Sequence, residues 1–259
     1  MQILVVDSAS ADDSVDRIRS AFPSIEVLCA TANRGFAASA NLGIRAALNR
    51  GAEFIWLLNN DISAPPDTLA KLVAAAEPAA VGIVGSVLRY MHNPQKVQAW
   101  GGGSVRRWMG YVIHFHRAST LGRDSFLTFA SVLLRREMLE QIGMLDDGFF
   151  MYFEDSDLSF RARATGWQLG VAADTAVLHK EGGSSGTKKK NPRLDRIVTA
   201  SGLRFLGRHG KPRALAQMLF VLSRLGKRAA HGNVAGMRAV LRGVRDWRSN
   251  NPLAFQEEP

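Results

Sequence analysis

Short unbroken apolar runs that stop at polar residues alternate along this chain with stretches whose apolar positions recur every three or four residues. Residues 3–6, ILVV, end at Asp7 and the turn-rich SASADD, as expected of a buried parallel strand entering a loop. Val15, Ile18, Arg19 and Phe22 then share one face of a helix expected over 13–22. IEVLCAT reads as a second strand, and NRGFAASANLGIRAALNRG as a loop leading into a helix that stops at Gly51. EFIWLLNND is a strand whose apolar run halts at Asn59, Asn60 and Asp61; the prolines of SAPPDTLAKLVAAAE open a helix, and AVGIVGSVL is a further strand. Such alternation predicts an α/β fold, a mostly parallel sheet flanked by helices. Ligands of open α/β sheets bind beyond the carboxyl ends of the strands. Asp7, Asn33, Asn59, Asn60 and Asp61 all fall at such ends.

The alternation breaks at QAWGGGSVRRWMGYVIHFHRASTLGRD, where glycine and aromatics predict an irregular lobe over the sheet edge. Arg106, Arg107 and Trp108 in it are candidates to meet a bound ligand, or are simply solvated. SFLTFASVLLRREMLEQIG predicts a strand and a helix, and GWQLGVAADTAVLHKEGGSSG two short strands ending at His179, then a linker. The remainder is helical in pattern. Leu215, Met218, Leu219, Leu222 and Leu225 follow helical spacing with basic residues between them.

Charge divides the chain. Seventeen Lys and Arg against five Asp and Glu lie from Lys180 onward, so the tail carries all of the net charge of +10. That suits an anionic membrane face or a polyanion, or merely a solvated helical surface; no zinc-finger spacing or RNP-like aromatic run supports nucleic acid, so no nucleic-acid partner is expected. The single cysteine, Cys29, rules out an internal disulfide and any Cys-based zinc site. MQILVVDSAS lacks the basic leader of a signal peptide, and ALAQMLFVLSRLG is too short and too interrupted to span a bilayer. A cytoplasmic protein, soluble or peripheral on the inner face of the membrane, is expected.

The stretch FFMYFEDSDLSFRARATGW, 149–167, runs five apolar residues into Glu154, Asp155 and Asp157. Acids there can open a helix, Asp155 as its cap and Asp157 in the first turn. Equally, a carboxylate against an apolar wall is tuned for proton abstraction.

The ordered set ILVVDSASADDS, NRGFAASANLGI, WLLNNDISAPPDTL, LLRREMLEQIG, FFMYFEDSDLSFRARATGW and AVLHKEGGSS resembles the inverting glycosyltransferases of family 2, which have the GT-A nucleotide-sugar fold, and especially their rhamnosyltransferase-like members in bacterial polysaccharide synthesis. The resemblance covers residues 2–210 and implies a catalytic domain over 1–186 with a basic helical extension over 187–259. It implies that Asp7 faces the base or ribose of a nucleotide and that Asn33, Gly35 and Asn41 line its pocket. Asn59, Asn60 and Asp61 resemble the family's DxD motif with Asn first, so Asp61 would ligate Mn2+ or Mg2+ and His179 would complete the metal site. Asp155 falls at the catalytic base, and Glu154 would hydrogen-bond acceptor or base. The implied partners are a nucleotide-diphosphate sugar, with rhamnose on dTDP favoured, and a glycan or lipid-linked acceptor.

Two features depart from that family. Its members usually begin with one more strand and helix near the middle of the sheet, ahead of the strand matching ILVVD, and the exposed sheet left without them would invite a homodimer. Thr128, Phe129 and Ala130 also stand where the family tends to have Ser-Gly-Ala, which places a bulky ring near the acceptor site. The first departure motivates an alternative reading, an inactive or partial GT-A domain serving as a binding module.

Overall fold

The computed structural model describes residues 1–180, 191–250 and 255. The expected linker, with the expected domain boundary inside it, lies outside the described residues. In chain order the elements are β1 (Leu4–Asp7), α1 (Ser14–Ala21), β2 (Glu26–Cys29), α2 (Phe36–Asn49), β3 (Phe54–Leu58), β4 (Ile62–Ser63), α3 (Thr68–Ala75), β5 (Val81–Tyr90) and β6 (Asn93–Trp100). There follow β7 (Gly102–Arg106), β8 (Tyr111–His114), β9 (Ser125–Leu127), β10 (Ser131–Arg135), α4 (Arg136–Ile142), α5 (Glu154–Ala164), β11 (Gln168–His179), α6 (Pro192–His209), α7 (Arg213–Ala229) and α8 (Val234–Ser249).

The main sheet has the order β3-β10-β5-β11-β4, with β6 also on β5. β3, β5 and β11 run the same way, while β10 lies antiparallel between β3 and β5. Residues 81–88 of β5 are buried without interruption because both faces of the sheet are covered. Side chains alternate between the two layers: Ile83, Val132 and Leu134 join Ile44, Met138 and Leu158 on one side, and Val84 and Leu133 meet Leu72 on the other.

Among the described residues β1 pairs only with β2, in a separate parallel pair, and β3 pairs only with β10. Each therefore has an edge with no strand on it, and α2 packs against both.

Two expectations need correction. The supposed irregular lobe is β-structure: β7 pairs with β8 and β9 in a three-stranded antiparallel sheet, and β6 extends the main sheet. Its adjacent Gly102 and Gly103 are strand residues of β7 at sites of close backbone approach. A Cβ on Gly102 would stand 1.9 Å from the Phe126 carbonyl oxygen, and one on Gly103 2.2 Å from that of Ile113. The two strands expected before His179 are one, β11, whose register slips between Ala172 and Ala176.

In the tail, α6 packs on α7, α8 and α5. Its Leu203, Phe205 and Leu206 share the main core with Phe153 and Phe160, so this helix is built into the α/β body. Several tail arginines are held by buried carboxylates: Arg224 and Arg228 by Asp195, and Arg196 by Asp246. No helix among the described residues is long and apolar enough to cross a membrane.

Candidate functional site

Asp61 lies just past the end of β3, and His179 ends β11; the short β4–β11 pairing, with His179 opposite Ile62, brings them together. Asp61 Oδ1 is buried and makes no hydrogen bond within the protein. It stands 3.2 Å from His179 Nε2. His179 Nδ1 lies 2.9 Å from Gln98 Oε1; with the amide oriented this way, Nδ1 donates and Nε2 presents a lone pair. A proton or a metal cation between the two atoms would satisfy both, and an imidazole nitrogen beside a buried carboxylate oxygen is a donor set that fits a divalent ion. No third His, Cys, Asp or Glu joins them among the described residues. Two protein ligands, with the remainder from phosphate and water, is the usual arrangement for Mg2+, and one imidazole favours Mn2+. Gln98 lies on β6, in the region read as irregular, and no local signal marked it.

Asn59 is half-buried and Asn60 exposed. The Asn59 N–H donates to the Ala130 carbonyl (2.9 Å), which ties the end of β3 to the turn before β10. Phe129 in that turn is 3 % exposed and its ring belongs to the main core. From the same segment, Leu127 N–H donates to Ser159 Oγ of α5 at 3.2 Å. Residues 127–130 thus span from the strand-end polar group to the helix of Glu154 and Asp155.

Asp7 closes β1; its Oδ2 accepts from Ser10 N–H at 3.0 Å, and Ser8 Oγ meets Ser39 Oγ of α2 at 2.6 Å. Asn33 Oδ1 accepts from Gly35 N–H at 3.0 Å, a side-chain turn that leads into α2. Gly35 has φ +88° and ψ −179°, a conformation open almost only to glycine. A Cβ there would fall 1.9 Å from the Phe150 carbonyl oxygen, which accepts from Phe36 N–H at 2.7 Å. The start of α2 is therefore clamped onto the segment preceding Glu154. Asn41 is buried and bonded both ways to the backbone of Leu145, donating at 2.8 Å and accepting at 3.1 Å. It acts as a brace for that loop rather than as a group free to meet a nucleotide.

The chain enters α5 through two consecutive non-glycine residues at positive φ, Tyr152 (+71°) and Phe153 (+68°). Each costs about 1–3 kcal/mol, so packing must hold the turn. The Phe153 ring does so, 5.3 Å from Phe205 and 6.3 Å from Phe220. The helix therefore starts at Glu154 with Phe153 as its cap, and Asp155 sits inside the first turn instead of capping it. Glu154 is buried, and its Oε2 has no hydrogen-bond partner. Burial, then the neighbouring Asp155 charge, raises its pKa to about 8. Burial also raises Asp155, to about 6, although Ser156 N–H (2.6 Å) and Oγ–H (3.1 Å) both donate to its Oδ1. One buried carboxyl thus stays protonated while its neighbour titrates near neutrality, an arrangement suited to acid–base work.

Asp157 differs in kind. Burial alone would raise its pKa, but His209 (2.8 Å), Arg161 (2.8 Å) and Arg208 (2.6 Å) outweigh burial and bring it down to about 2. It joins α5 to α6.

Comparison with known proteins agrees with this architecture. The family model described as "Glycosyl transferase family 2" matches residues 1–143. The dTDP-rhamnosyl transferase RfbF of Shigella flexneri is 22% identical over 184 residues, 71% of this chain and 61% of that relative, so the chain spans less than two thirds of its length. The N-acetylglucosaminyl-diphospho-decaprenol L-rhamnosyltransferase of Mycobacterium tuberculosis (strain ATCC 25618 / H37Rv) is 24% identical over 210 residues, 72% of this chain and 68% of that one. Among solved structures, the mannosyltransferase PcManGT from Pyrobaculum calidifontis, in complex with GDP-Man and Mn2+, superposes with a TM-score of 0.53 at 18% identity over 98% of this chain and 75% of that one. The last likeness is one of fold, the GT-A fold. With its family model covering more than half of the sequence, the chain belongs to glycosyl transferase family 2.

Proposed function

We propose that this protein is a metal-assisted inverting glycosyltransferase that moves a sugar from a nucleotide-diphosphate donor to a glycan or lipid-linked acceptor in bacterial surface polysaccharide synthesis. Both rhamnosyltransferase relatives favour rhamnose as the sugar, and the name of one favours a dTDP donor. Asp61 and His179 would hold a divalent cation, which supplies charge neutralisation for the departing diphosphate. Asp7, with the turn at Asn33 and Gly35 and the strand-end Asn59 and Asn60, would border the nucleotide. Asp155 takes the proton of the acceptor hydroxyl as its oxygen attacks the anomeric carbon. Because Ser156 occupies Oδ1, the proton is received on Oδ2. A single base on the face opposite the leaving group inverts the configuration. Glu154, neutral near pH 7, serves as a donor to acceptor or base.

The observation that carries this reading is the pair of buried Glu154 and half-buried Asp155 at a strained entry clamped by the loop at Gly35. Asp155→Asn should lower transfer from dTDP-rhamnose by about 100- to 10,000-fold with folding intact; unchanged transfer would remove Asp155 as the base. The unpaired edges of β1 and β3 favour a second reading, a GT-A domain that binds without turning over. It expects nucleotide binding but no transfer in the wild type, tested with dTDP, UDP and GDP sugars.

A further inference from the structure

The apolar stripe of α7 points the wrong way for a core helix. The helix turns Ala216 and Phe220 inward, Phe220 onto Phe153, while Leu215, Met218 and Leu222 are 44%, 52% and 54% exposed. At spacings of three and four these side chains stand on one face over two turns, with Leu219 and Leu225 half-buried beside them. Isolated exposed leucines are ordinary, but a contiguous stripe marks an interaction surface.

Its surroundings indicate what covers it. From Lys211 to Arg245 there are eight Lys and Arg and no Asp or Glu. Arg224 and Arg228 are engaged by Asp195, but Lys211 and Arg213 are exposed at the start of α7 and Lys227 near its end. At its start α7 meets the β7–β8 turn, where Lys211 N–H donates to the Arg107 carbonyl at 3.3 Å and Gly110 lies against Phe220. That turn carries Trp108 and Tyr111, 48% and 59% exposed, and the exposed Arg106. Exposed aliphatics on a helix with cations at its two ends, next to a turn that carries exposed Trp and Tyr, combine the components that a lipid–water interface recruits: apolar side chains, cations for anionic headgroups, and amphipathic rings.

We infer that the outer face of α7, together with the β7–β8 turn, docks onto an anionic phospholipid bilayer. Phe220, on the opposite side of α7, touches the residue next to Glu154. The acid pair is thereby held about one helix diameter, ~10 Å, from the bilayer surface, a reach suited to an acceptor anchored in lipid. The inference extends the proposed function by naming where such an acceptor's membrane would meet the chain. It is tested without turnover, so either can fail alone.

Flotation of the full chain with vesicles of phosphatidylcholine, or of an equal mixture with phosphatidylglycerol, reads it directly. The wild type should float with the anionic vesicles only, less so at high salt. Leu215→Ser/Met218→Ser/Leu222→Ser should bind at least about tenfold more weakly with an unchanged melting temperature, and Trp108→Ser and Lys211→Glu/Lys227→Glu should each weaken binding. Failure of the wild type to float, equal binding to both vesicle types, or unimpaired binding by the triple variant would overturn the inference. So would a wild-type dimer, in sedimentation equilibrium, that the triple variant dissociates while vesicles bind neither form, since the stripe would then be a self-association surface.

Discussion

Gly35→Ala tests the clamp between the start of α2 and the segment that leads into the acid pair. At φ +88° and ψ −179° an alanine is strained by about 1–3 kcal/mol before any contact is counted. Its Cβ would lie 1.9 Å from the Phe150 carbonyl oxygen, so the two backbones must part by more than an ångström. That breaks the 2.7 Å Phe36 N–H to Phe150 hydrogen bond, a further loss of about 1 kcal/mol. The expected destabilisation is about 2–4 kcal/mol. Displacing Phe150, four residues before Glu154, should also lower transfer by more than the unfolded fraction explains. Gly51→Ala is the control: φ is +79°, but nothing lies within 4 Å of its Cβ, so only the backbone strain, about 1 kcal/mol, applies. Urea denaturation of both variants measures the difference, and rates normalised to folded protein measure the activity. Equal destabilisation of the two would refute the close approach at Phe150. A destabilised Gly35→Ala with normal activity per folded molecule would refute its tie to the acid pair.

Gln98→Leu leaves both proposed metal ligands in place but frees the His179 ring, and should weaken Mn2+ binding about 10- to 100-fold by calorimetry; unchanged affinity would remove Gln98 from the site. Asp155 must be ionised to act as a base, so the transfer rate should fall as pH drops through about 6, and this limb should vanish in Asp155→Asn. Glu154 has a folded pKa raised from 4.5 to about 8, so the folded state holds a proton that the unfolded state gives up, and stability falls as pH rises across that window. Glu154→Gln should therefore match the wild type below pH 4.5 and melt higher than it at pH 8; a lower melting point at pH 8 would contradict a buried, unpartnered carboxylate. Asp157 has the opposite sign, lowered to about 2, and its stabilisation is lost as pH falls from 3.8 through that value. Asp157→Ala, which leaves Arg161, Arg208 and His209 without their shared partner, should cost about 3–5 kcal/mol at neutral pH by chemical denaturation.

Features encoded by consecutive residues were legible in the sequence. The apolar runs of β1, β3 and β5 and the helical spacing of α2 and α3 define elements locally, since burial on one face or two imposes its own period on the pattern. The polar residues that stop those runs, Asp7 and the group at Asn59, Asn60 and Asp61, mark strand ends for the same reason. Glycine misled in the middle of the chain, because a residue that favours loops also permits the contact Gly102 makes with Phe126, and nothing nearby in sequence distinguishes the two uses. The double hydrogen bond of Asn41 to the backbone of Leu145, 104 positions away, likewise had no local signature. Gln98 carried no signal at all, its partner His179 being 81 positions distant. The direction of the α7 stripe was equally hidden. Helical spacing places Leu215, Met218 and Leu222 on one face, but whether that face meets the core or the solvent depends on which side of the helix Phe153 and Gly110 occupy. Period and propensity act over neighbouring residues, whereas pairing, orientation and buried charge depend on which distant segments the chain brings into contact.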